Sequence, residues 1–173
     1  GRVKTIDPRK FTKIDEYFTD YEPDYDYQRR VQQATPQVPS ETVQKPKYGE
    51  QQGHRKLITR PGLAAYCLAQ AGYRCEANIS HTTFTSKASG NNYVEAHHLI
   101  PLKYQPKFEF ALDNQSNIIA LCPNCHRLLH HAMTNEKRNY IRKLFSKFSN
   151  KRRSTLKNLG RETTLKYVLE YYS

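Results

Sequence analysis

Hydrophobic positions along this chain follow two patterns. Short continuous runs are typical of β-strands, and stripes repeating every three or four residues are typical of helices. Residues 93–96 and 118–121 are β-prone runs, bounded by Asn or Gly on one side and by Pro or Cys on the other, and they predict two short strands. Residues 125–131 follow a proline and predict a short helix. A further helix is predicted over 60–71, because the proline at 61 is tolerated in a first turn and Gly72 ends the apolar pattern.

Residues 133–173 show helical periodicity, so they predict helices that pack on the rest of the chain. Residues 150–153 are expected to be a polar interruption or a surface turn, and Thr163 is the candidate N-cap of the last helix. The apolar stripes that carry this prediction are Tyr140, Ile141, Leu144, Phe145 and Phe148, followed by Leu165, Val168, Leu169 and Tyr172. Residues 103–116 predict a long loop, and loops of that length are usually functional.

The N-terminal part of the chain lacks a clear period. Residues 15–27 are acidic and rich in tyrosine, and residues 32–52 are rich in Gln, Pro, Thr and Ser, which is typical of a linker. The acidic segment is open to three interpretations: it covers a basic DNA-binding face, packs on the domain, or binds a partner. The predicted organisation is an N-terminal extension over 1–58, a core over 59–132 and basic C-terminal helices over 133–173.

Composition favours a small domain that binds a polyanion. Hydrophobic residues make up 37% of the 173 residues and tryptophan is absent, so the core is expected to be small. Of the net charge of +12, +8 lies in residues 133–173, which hold 11 Lys/Arg and 3 Asp/Glu. Such a basic segment is typical of nucleic-acid binding. No segment resembles a signal peptide or approaches the roughly 18 apolar residues of a membrane span, so we expect a cytoplasmic protein without membrane contact.

The candidate chemistry lies in histidines on two of the predicted elements. His126 and His130 are four residues apart and share one helix face, a pairing that His131 does not fit. His97 and His98 are consecutive in a strand, so they point to opposite sides and one of them can join the helical pair. Three imidazoles make a half-open shell around a divalent cation, with room for phosphate and water. A fourth imidazole, unbound and neutral near pH 7, is a natural general base.

Two runs of residues resemble the HNH nucleases, whose fold is the ββα-metal motif. The first run is Glu95-Ala-His-His-Leu-Ile-Pro-Leu, and the second, Leu121-Cys-Pro-Asn-Cys-His-Arg-Leu-Leu-His, comes shortly after Asn117. Both runs agree with the family in residue type and spacing, and the resemblance covers about residues 60–132. It is greatest to bacterial HNH endonucleases of restriction-like and anti-phage systems. It implies an α+β fold with a ββα-metal core and a zinc knuckle, flanked by helices.

The resemblance also implies a role for each matching position. His98 would be the general base, and Asn117 would brace the loop between the strands and hold the base in orientation. Glu95 is a further catalytic candidate, because it would help to orient His98. The implied metal ligands are His97, His126 and His130. Imidazole ligands suit manganese, nickel or zinc, and magnesium is usable because phosphate and water complete its shell.

The four cysteines are too few and too unevenly placed for a secreted disulfide framework. Cys122 and Cys125 have the spacing of half a zinc site, and in many HNH relatives a second Cys-x-x-Cys supplies the other half. Here Cys75 is followed by Glu-Ala-Asn, so that second cysteine is missing. We favour His81 as the fourth ligand of a structural zinc. Its rival, Cys67, lies on an apolar helix stripe, where a small buried thiol is the commoner use.

Together these features predict a metal-dependent DNA endonuclease of the HNH type in restriction or anti-phage defence. The resemblance implies products with 5′-phosphate and 3′-hydroxyl ends. Double-stranded DNA is the expected partner, and the expected phosphate contacts are Lys137, Arg138, Arg142, Lys143, Lys147, Lys151, Arg152 and Arg153. Two alternatives stay open: a DNA-binding module with a vestigial site, and an effector nuclease whose regulatory partner docks on residues 1–50. A homodimer is also open.

Overall fold

The computed structural model of the chain describes residues 22–51, 54–160 and 163–173. The part of the acidic segment before Glu22 lies outside these residues. The helices are α1 (Glu22–Gln33), α2 (Pro61–Gln70), α3 (Pro123–His131), α4 (Thr134–Lys147), α5 (Asn150–Lys157) and α6 (Leu165–Glu170), with a 3-10 helix at Leu102–Lys107. The strands are β1 (Tyr48–Gln51), β2 (His54–Leu57), β3 (Glu95–His98) and β4 (Ile118–Leu121). None of the helices within the described ranges is long and apolar enough to cross a membrane.

The centre of the fold is an antiparallel strand pair followed by a helix, the mixed ββα core that the sequence predicts. In β3 and β4, His97 lies opposite Ile119 and His98 opposite Ile118, and every residue of both strands is buried. Strand β3 begins two residues later than predicted, because the Tyr93 amide bonds to the Phe84 carbonyl (2.8 Å) instead of pairing with β4. At the start of α3, the proline occupies a first-turn position where a missing N–H costs nothing.

The two faces of this strand pair are covered by different hydrophobic clusters. On one face, Ile119 packs with Leu129 of α3 and Leu144 of α4. On the other face, Ile118 packs with Val31 of α1 and residues of α2. Because side chains alternate along a strand, successive residues of β3 enter different environments.

Helix α1 differs from the predicted aperiodic segment and linker. Tyr27 and Val31 are one helical turn apart, and both are buried against α2 and the strand pair. Two apolar positions are too few to give a recognisable helical hydrophobic pattern within an acidic, tyrosine-rich segment. The region predicted as a linker also contains β1, which pairs with β2. Residues 22–33 are therefore part of the folded body rather than a free docking arm.

Two glutamines of α1 seal the open edge of the sheet where β3 begins. The Gln28 side chain accepts a hydrogen bond from the Ala96 amide (2.9 Å) and donates one to the Ala96 carbonyl (2.7 Å). Gln32 donates to the Val94 carbonyl (2.8 Å). The amides thus satisfy edge groups that would otherwise be available to another strand.

The C-terminal helices follow the predicted stripes with two differences. The expected turn at 150–153 is the beginning of α5, and the Ser149 hydroxyl caps it by accepting a hydrogen bond from the Arg152 amide (3.1 Å). Leu156 is the buried residue of this helix, so its polar sequence carries no stripe. The N-cap position of α6 is Thr164, and the Thr163 hydroxyl donates instead to the Gly160 carbonyl (2.9 Å).

We expect Gln28→Leu to lower the free energy of unfolding by about 1–3 kcal/mol, because it leaves both backbone groups of Ala96 buried without partners. Gln33→Leu, at an exposed position of the same helix, is the control and should change stability by less than about 0.5 kcal/mol. Urea denaturation followed by circular dichroism measures both. Equal stabilities would contradict the edge-sealing role of Gln28.

Candidate active site

Three histidines converge where α3 passes over β3. One ring nitrogen each from His97, His126 and His130 lies within 4.8 Å of the other two. The Nε2 atoms of His126 and His130 are 3.0 Å apart, and the His97 ring is edge-on to both, at centroid distances of 4.9 and 5.4 Å. The structure therefore brings the three predicted metal ligands together, and the alternative His131 is not in the cluster.

Glu95 contacts a metal-ligand candidate and not the proposed base, which corrects the expectation that it orients His98. Its Oε2 lies 2.6 Å from Nδ1 of His126, and its Oε1 accepts a hydrogen bond from the Tyr93 hydroxyl (3.0 Å). Burial tends to raise the pKa of Glu95, but the hydrogen bond and charge interaction with His126, together with the hydrogen bond from Tyr93, outweigh it and the pKa is lowered. The reason is the strand period of two, which puts Glu95 on the His97 face of β3.

The His97 side chain is deeply buried and forms a hydrogen bond with Tyr172, which follows the last helix. Its Nε2 lies 2.9 Å from the Tyr172 hydroxyl, and both residues are buried. Burial, followed by the proximity of His126 and His130, holds the pKa of His97 well below its usual value. A neutral imidazole has a lone pair for a cation.

His98 points to the opposite face of β3 and has its own partners. Its Nε2 lies 2.9 Å from Oδ1 of Asp113, and both side chains are buried. Burial tends to raise the pKa of Asp113, but the hydrogen bonds and charge interactions with His98 and Arg60, whose amide lies 2.6 Å from the carboxylate, together outweigh it and the pKa is lowered. The Asp113 carboxylate thus accepts from Nε2, which leaves Nδ1 as the unprotonated nitrogen of a neutral His98. On this face the His98 ring is 5.6 Å from the ring of Tyr27.

Asn117 is completely buried and ties together the ends of the loop between the strands. Its Nδ2 donates to the carbonyls of Ile100 (3.0 Å) and Leu112 (2.8 Å), and its Oδ1 accepts from the Ile100 amide (2.8 Å). Leu112 immediately precedes Asp113, so the side chain of Asn117 fixes the segment that carries the partner of His98. A catalytic role of Asn117 stays a prediction.

Two of these partners, Asp113 and Tyr172, are not among the site residues that the sequence predicts. Asp113 lies in the long loop 103–116, and its only signal is an Asp-Asn pair, which is more typical of a turn. Tyr172 belongs to a predicted apolar stripe, and its ring does pack in the hydrophobic core. That pattern gives no information about the hydrogen bonds of its hydroxyl. Phe108 of the same loop is buried in the hydrophobic core.

A second cluster consists of the four residues predicted as zinc ligands. One ligand atom each from Cys75, His81, Cys122 and Cys125 lies within 4.8 Å of the other three. Nδ1 of His81 is 3.3 Å from Sγ of Cys125 and 3.6 Å from Sγ of Cys122, and the cysteines are free thiols. Three thiols and one imidazole are a donor set that zinc accepts in tetrahedral geometry. The set fits a structural zinc.

Position separates Cys67 from the four residues of the cluster. The pKa of Cys75 is lowered to about 4, chiefly by the hydrogen bond with Cys125, and thiolates are the form that binds metal. Burial raises the pKa of Cys67 to about 12, and its thiol is not in the cluster. Cys122 precedes α3 and Cys125 lies in its first turn, so a metal here would fix the helix that carries His126.

Four of the predicted phosphate-binding residues donate to backbone carbonyls elsewhere in the fold: Lys137, Lys147, Arg152 and Arg153. Arg152 forms an ion pair with Glu76 (2.5 Å), and its Nε donates to the Ser116 carbonyl (3.1 Å). Arg153 donates to the carbonyls of Phe145 (3.0 Å) and Ser146 (2.9 Å) near the end of α4. The sequence of a basic segment does not show which of its side chains will bind carboxylates or backbone carbonyls elsewhere in the fold. Phosphate contacts of all eight basic residues stay a prediction.

Comparison with known proteins agrees with the site geometry. Residues 73–132 match the family model described as HNH endonuclease. A curated protein, the Type IV methyl-directed restriction enzyme EcoKMcrA of Escherichia coli (strain K12), is 38% identical over 79 residues, which are 45% of this chain. The match covers 26% of that enzyme, so the chain matches about a quarter of its length.

We expect Cys75→Ser to lose zinc and to melt at a lower temperature, because a structural zinc contributes its binding free energy to folding. Cys67→Ser, the same substitution outside the cluster, is the control and should retain zinc. Both are made in a His97→Ala background, which removes the other candidate metal site. Elemental analysis and thermal melting measure the outcome, and zinc retained by Cys75→Ser would rule out the Cys3His set.

Proposed function

We propose that this chain, whose residues 73–132 belong to the HNH endonuclease family, is a metal-dependent endonuclease that hydrolyses phosphodiester bonds in DNA. The observation that carries the proposal is the convergence of His97, His126 and His130 on one side of β3, with His98 and its partner Asp113 on the other. A metal-binding set and a separate proton acceptor are the two components that this hydrolysis needs.

The three imidazoles fit a divalent cation such as manganese, nickel or magnesium, because they leave coordination positions for phosphate and water. When bound, the cation would stabilise the charge that develops on the scissile phosphate and on the leaving 3′ oxygen. Glu95 accepts the Nδ1 hydrogen of His126, which directs the Nε2 lone pair towards the cluster. Such partners fix ligand orientation before the cation arrives.

His98 would accept the proton of the attacking water. Asp113 accepts the Nε2 hydrogen of His98, so the proton from water goes to Nδ1. The carboxylate then stabilises the imidazolium that forms, and Arg60 holds the carboxylate in place through its backbone amide. The activated water attacks phosphorus as the bond to the 3′ oxygen breaks, and the leaving oxygen takes a proton from solvent, which leaves 5′-phosphate and 3′-hydroxyl ends.

We place the activity in restriction or anti-phage defence, in the cytoplasm and on double-stranded DNA. Two observations support this setting: the matching enzyme of Escherichia coli is by name a restriction enzyme, and this chain has a net charge of +12. The described residues contain one trio of histidines. A double-strand break would therefore need a homodimer or two successive nicks.

The lysines of α4 and α5 that remain exposed are the best candidates for phosphate contacts. Lys143 and Lys151 are exposed, and they belong to the segment with the largest positive charge. Lys137 donates to the His130 carbonyl (2.9 Å), so its first role is at the end of the ligand-bearing helix. Phosphate contacts contribute affinity without base preference.

We expect His98→Ala to reduce cleavage by at least about 10²-fold, the low end for a positioned acid or base. Metal and DNA affinity should be retained, because His98 does not belong to the histidine trio. His131→Ala, next to His130 but outside the trio, is the control and should cleave normally. Single-turnover assays on plasmid DNA with excess Mn²⁺ measure both.

A wild-type rate for His98→Ala would overturn the assignment of the base. Absence of nicks from the wild-type protein with any divalent ion would favour a DNA-binding module.

We expect the double variant Lys143→Gln, Lys151→Gln to bind DNA more weakly. Its plot of log affinity against log salt should be less steep by about 1 for each lysine that neutralises a phosphate in the wild-type protein. Lys45→Gln, an exposed lysine outside the C-terminal helices, is the control. Fluorescence anisotropy at several salt concentrations measures the slopes. Identical slopes for the double variant and the control would place the DNA elsewhere on the surface.

A further inference from the structure

Tyr172 brings the end of the chain to the candidate metal site. The residue lies outside the matched segment 73–132 and just after α6. Its side chain is only 6% exposed, and its hydroxyl lies 2.9 Å from Nε2 of His97 and 2.8 Å from the carbonyl oxygen of Leu99. Both contacts are made by the same oxygen, so its single proton decides the direction of each bond.

The proton count fixes the tautomer of His97. The Leu99 carbonyl can only accept, so the Tyr172 hydroxyl donates its hydrogen there. The hydroxyl oxygen then has only acceptor capacity for His97, and Nε2 of His97 must be the donor. A neutral imidazole has one N–H, so the remaining lone pair of His97 is on Nδ1.

We propose that Tyr172 is a positioning residue that holds His97 as the Nε2–H tautomer and so presents Nδ1 to the divalent cation. This inference rests on the proposed metal-binding role of His97. His126 is held as the other tautomer, because Glu95 accepts its Nδ1 hydrogen and leaves the Nε2 lone pair available. Two ligands of one cation thus present different ring nitrogens, each selected by its own partner.

The surrounding packing keeps the Tyr172 hydroxyl in place. Tyr172 belongs to the same hydrophobic cluster as Leu99 and Leu129, and Val168 and Leu169 of α6 are buried in it as well. The acceptor of its proton is the carbonyl of Leu99, which lies immediately after β3 and two residues from His97. A tyrosine with a purely structural role would be satisfied by the Leu99 carbonyl alone, and the second contact couples the hydroxyl to His97. The C-terminal segment is therefore part of the metal site and not only a cover for the core.

The first test reads the tautomer without an active-site metal. Long-range ¹H–¹⁵N NMR of the zinc-loaded full chain, with His97→Ala used to assign the His97 signals, should report His97 as Nε2–H. In Tyr172→Phe, which removes only the hydroxyl, the Nδ1–H form should become populated. An Nδ1–H tautomer in the wild-type protein would overturn the inference, and this result does not depend on whether the variant folds.

The second test measures metal affinity by Mn²⁺ electron paramagnetic resonance of the same zinc-loaded protein. Tyr172→Phe should bind Mn²⁺ about 10-fold to 100-fold more weakly, the usual effect of losing the partner of a metal-binding histidine. Tyr171→Phe is the matched control, because it removes the hydroxyl of the neighbouring tyrosine, whose ring packs on Tyr104 with the ring centroids 4.4 Å apart. It should bind like the wild type.

The outcomes separate this inference from the proposed function. Equal Mn²⁺ affinity of Tyr172→Phe and the wild type would refute the role of Tyr172 and leave the metal site intact. Wild-type protein that binds Mn²⁺ no better than His97→Ala would refute the metal site itself. A weakening in Tyr172→Phe that Tyr171→Phe shares would show a general packing effect and would also refute the specific role.

Discussion

The alternation of side chains along β3 is the constraint on which the candidate site depends. Because neighbouring strand residues point to opposite faces, His97 and His98 cannot share an environment. His97 joins the two histidines of α3, while His98 meets the buried carboxylate of Asp113. One short strand thus separates the proposed metal ligand from the proposed proton acceptor by a single residue. A shift of one residue in the β3 register would exchange the two roles.

Three of the four histidines of the candidate site have a hydrogen-bond partner outside the trio, and these partners come from different parts of the chain. Glu95 holds His126, Tyr172 holds His97, and Asp113 holds His98. Buried polar groups of this kind are costly unless they are paired, so the hydrogen bonds also stabilise the fold. The same contacts orient the imidazoles, which links the stability of the C-terminal helix and of the long loop to the geometry of the site.

The Cys3His cluster gives the small core a second point of attachment. Cys75 precedes the sheet, while Cys122 and Cys125 flank the start of α3, so a metal there would fasten the ligand-bearing helix to the segment before it. On the opposite side, α1 seals the strand edge with its glutamines. Domains with limited hydrophobic content commonly need such additional constraints. Arg152 adds a polar link between α5 and the sheet, because its side chain donates to the carbonyl of Ile118 in β4.

The residues that could be predicted are those whose spacing along the chain determines their position. The i, i+4 histidines, the consecutive pair in the strand and the Cys-x-x-Cys run are local patterns, and the HNH resemblance that rests on them is confirmed by the family match. The α+β class of the fold is confirmed as well. The choice of His81 over Cys67 agrees with the observed cluster. That choice also rested on a local pattern, because Cys67 lies on an apolar helix stripe.

The residues that could not be predicted make contacts across long separations in sequence. Asp113 and Tyr172 reach their histidines from a loop and from the end of the chain, where nothing local specifies a partner. Gln28 pairs with a backbone 68 residues away, and polar helix positions of this kind ordinarily face solvent. Arg152 is predicted from its charge to bind DNA, and charge alone does not reveal an internal acceptor. The catalytic roles themselves stay predictions.

The most direct test of the proposed metal site is anomalous diffraction from a crystal of the full chain soaked in Mn²⁺, with data collected near the manganese absorption edge. We predict a single manganese peak bounded by the side chains of His97, His126 and His130, with Nδ1 of His97 and Nε2 of His126 facing it. No peak at the trio, or a peak on the His98 face of β3, would contradict this arrangement.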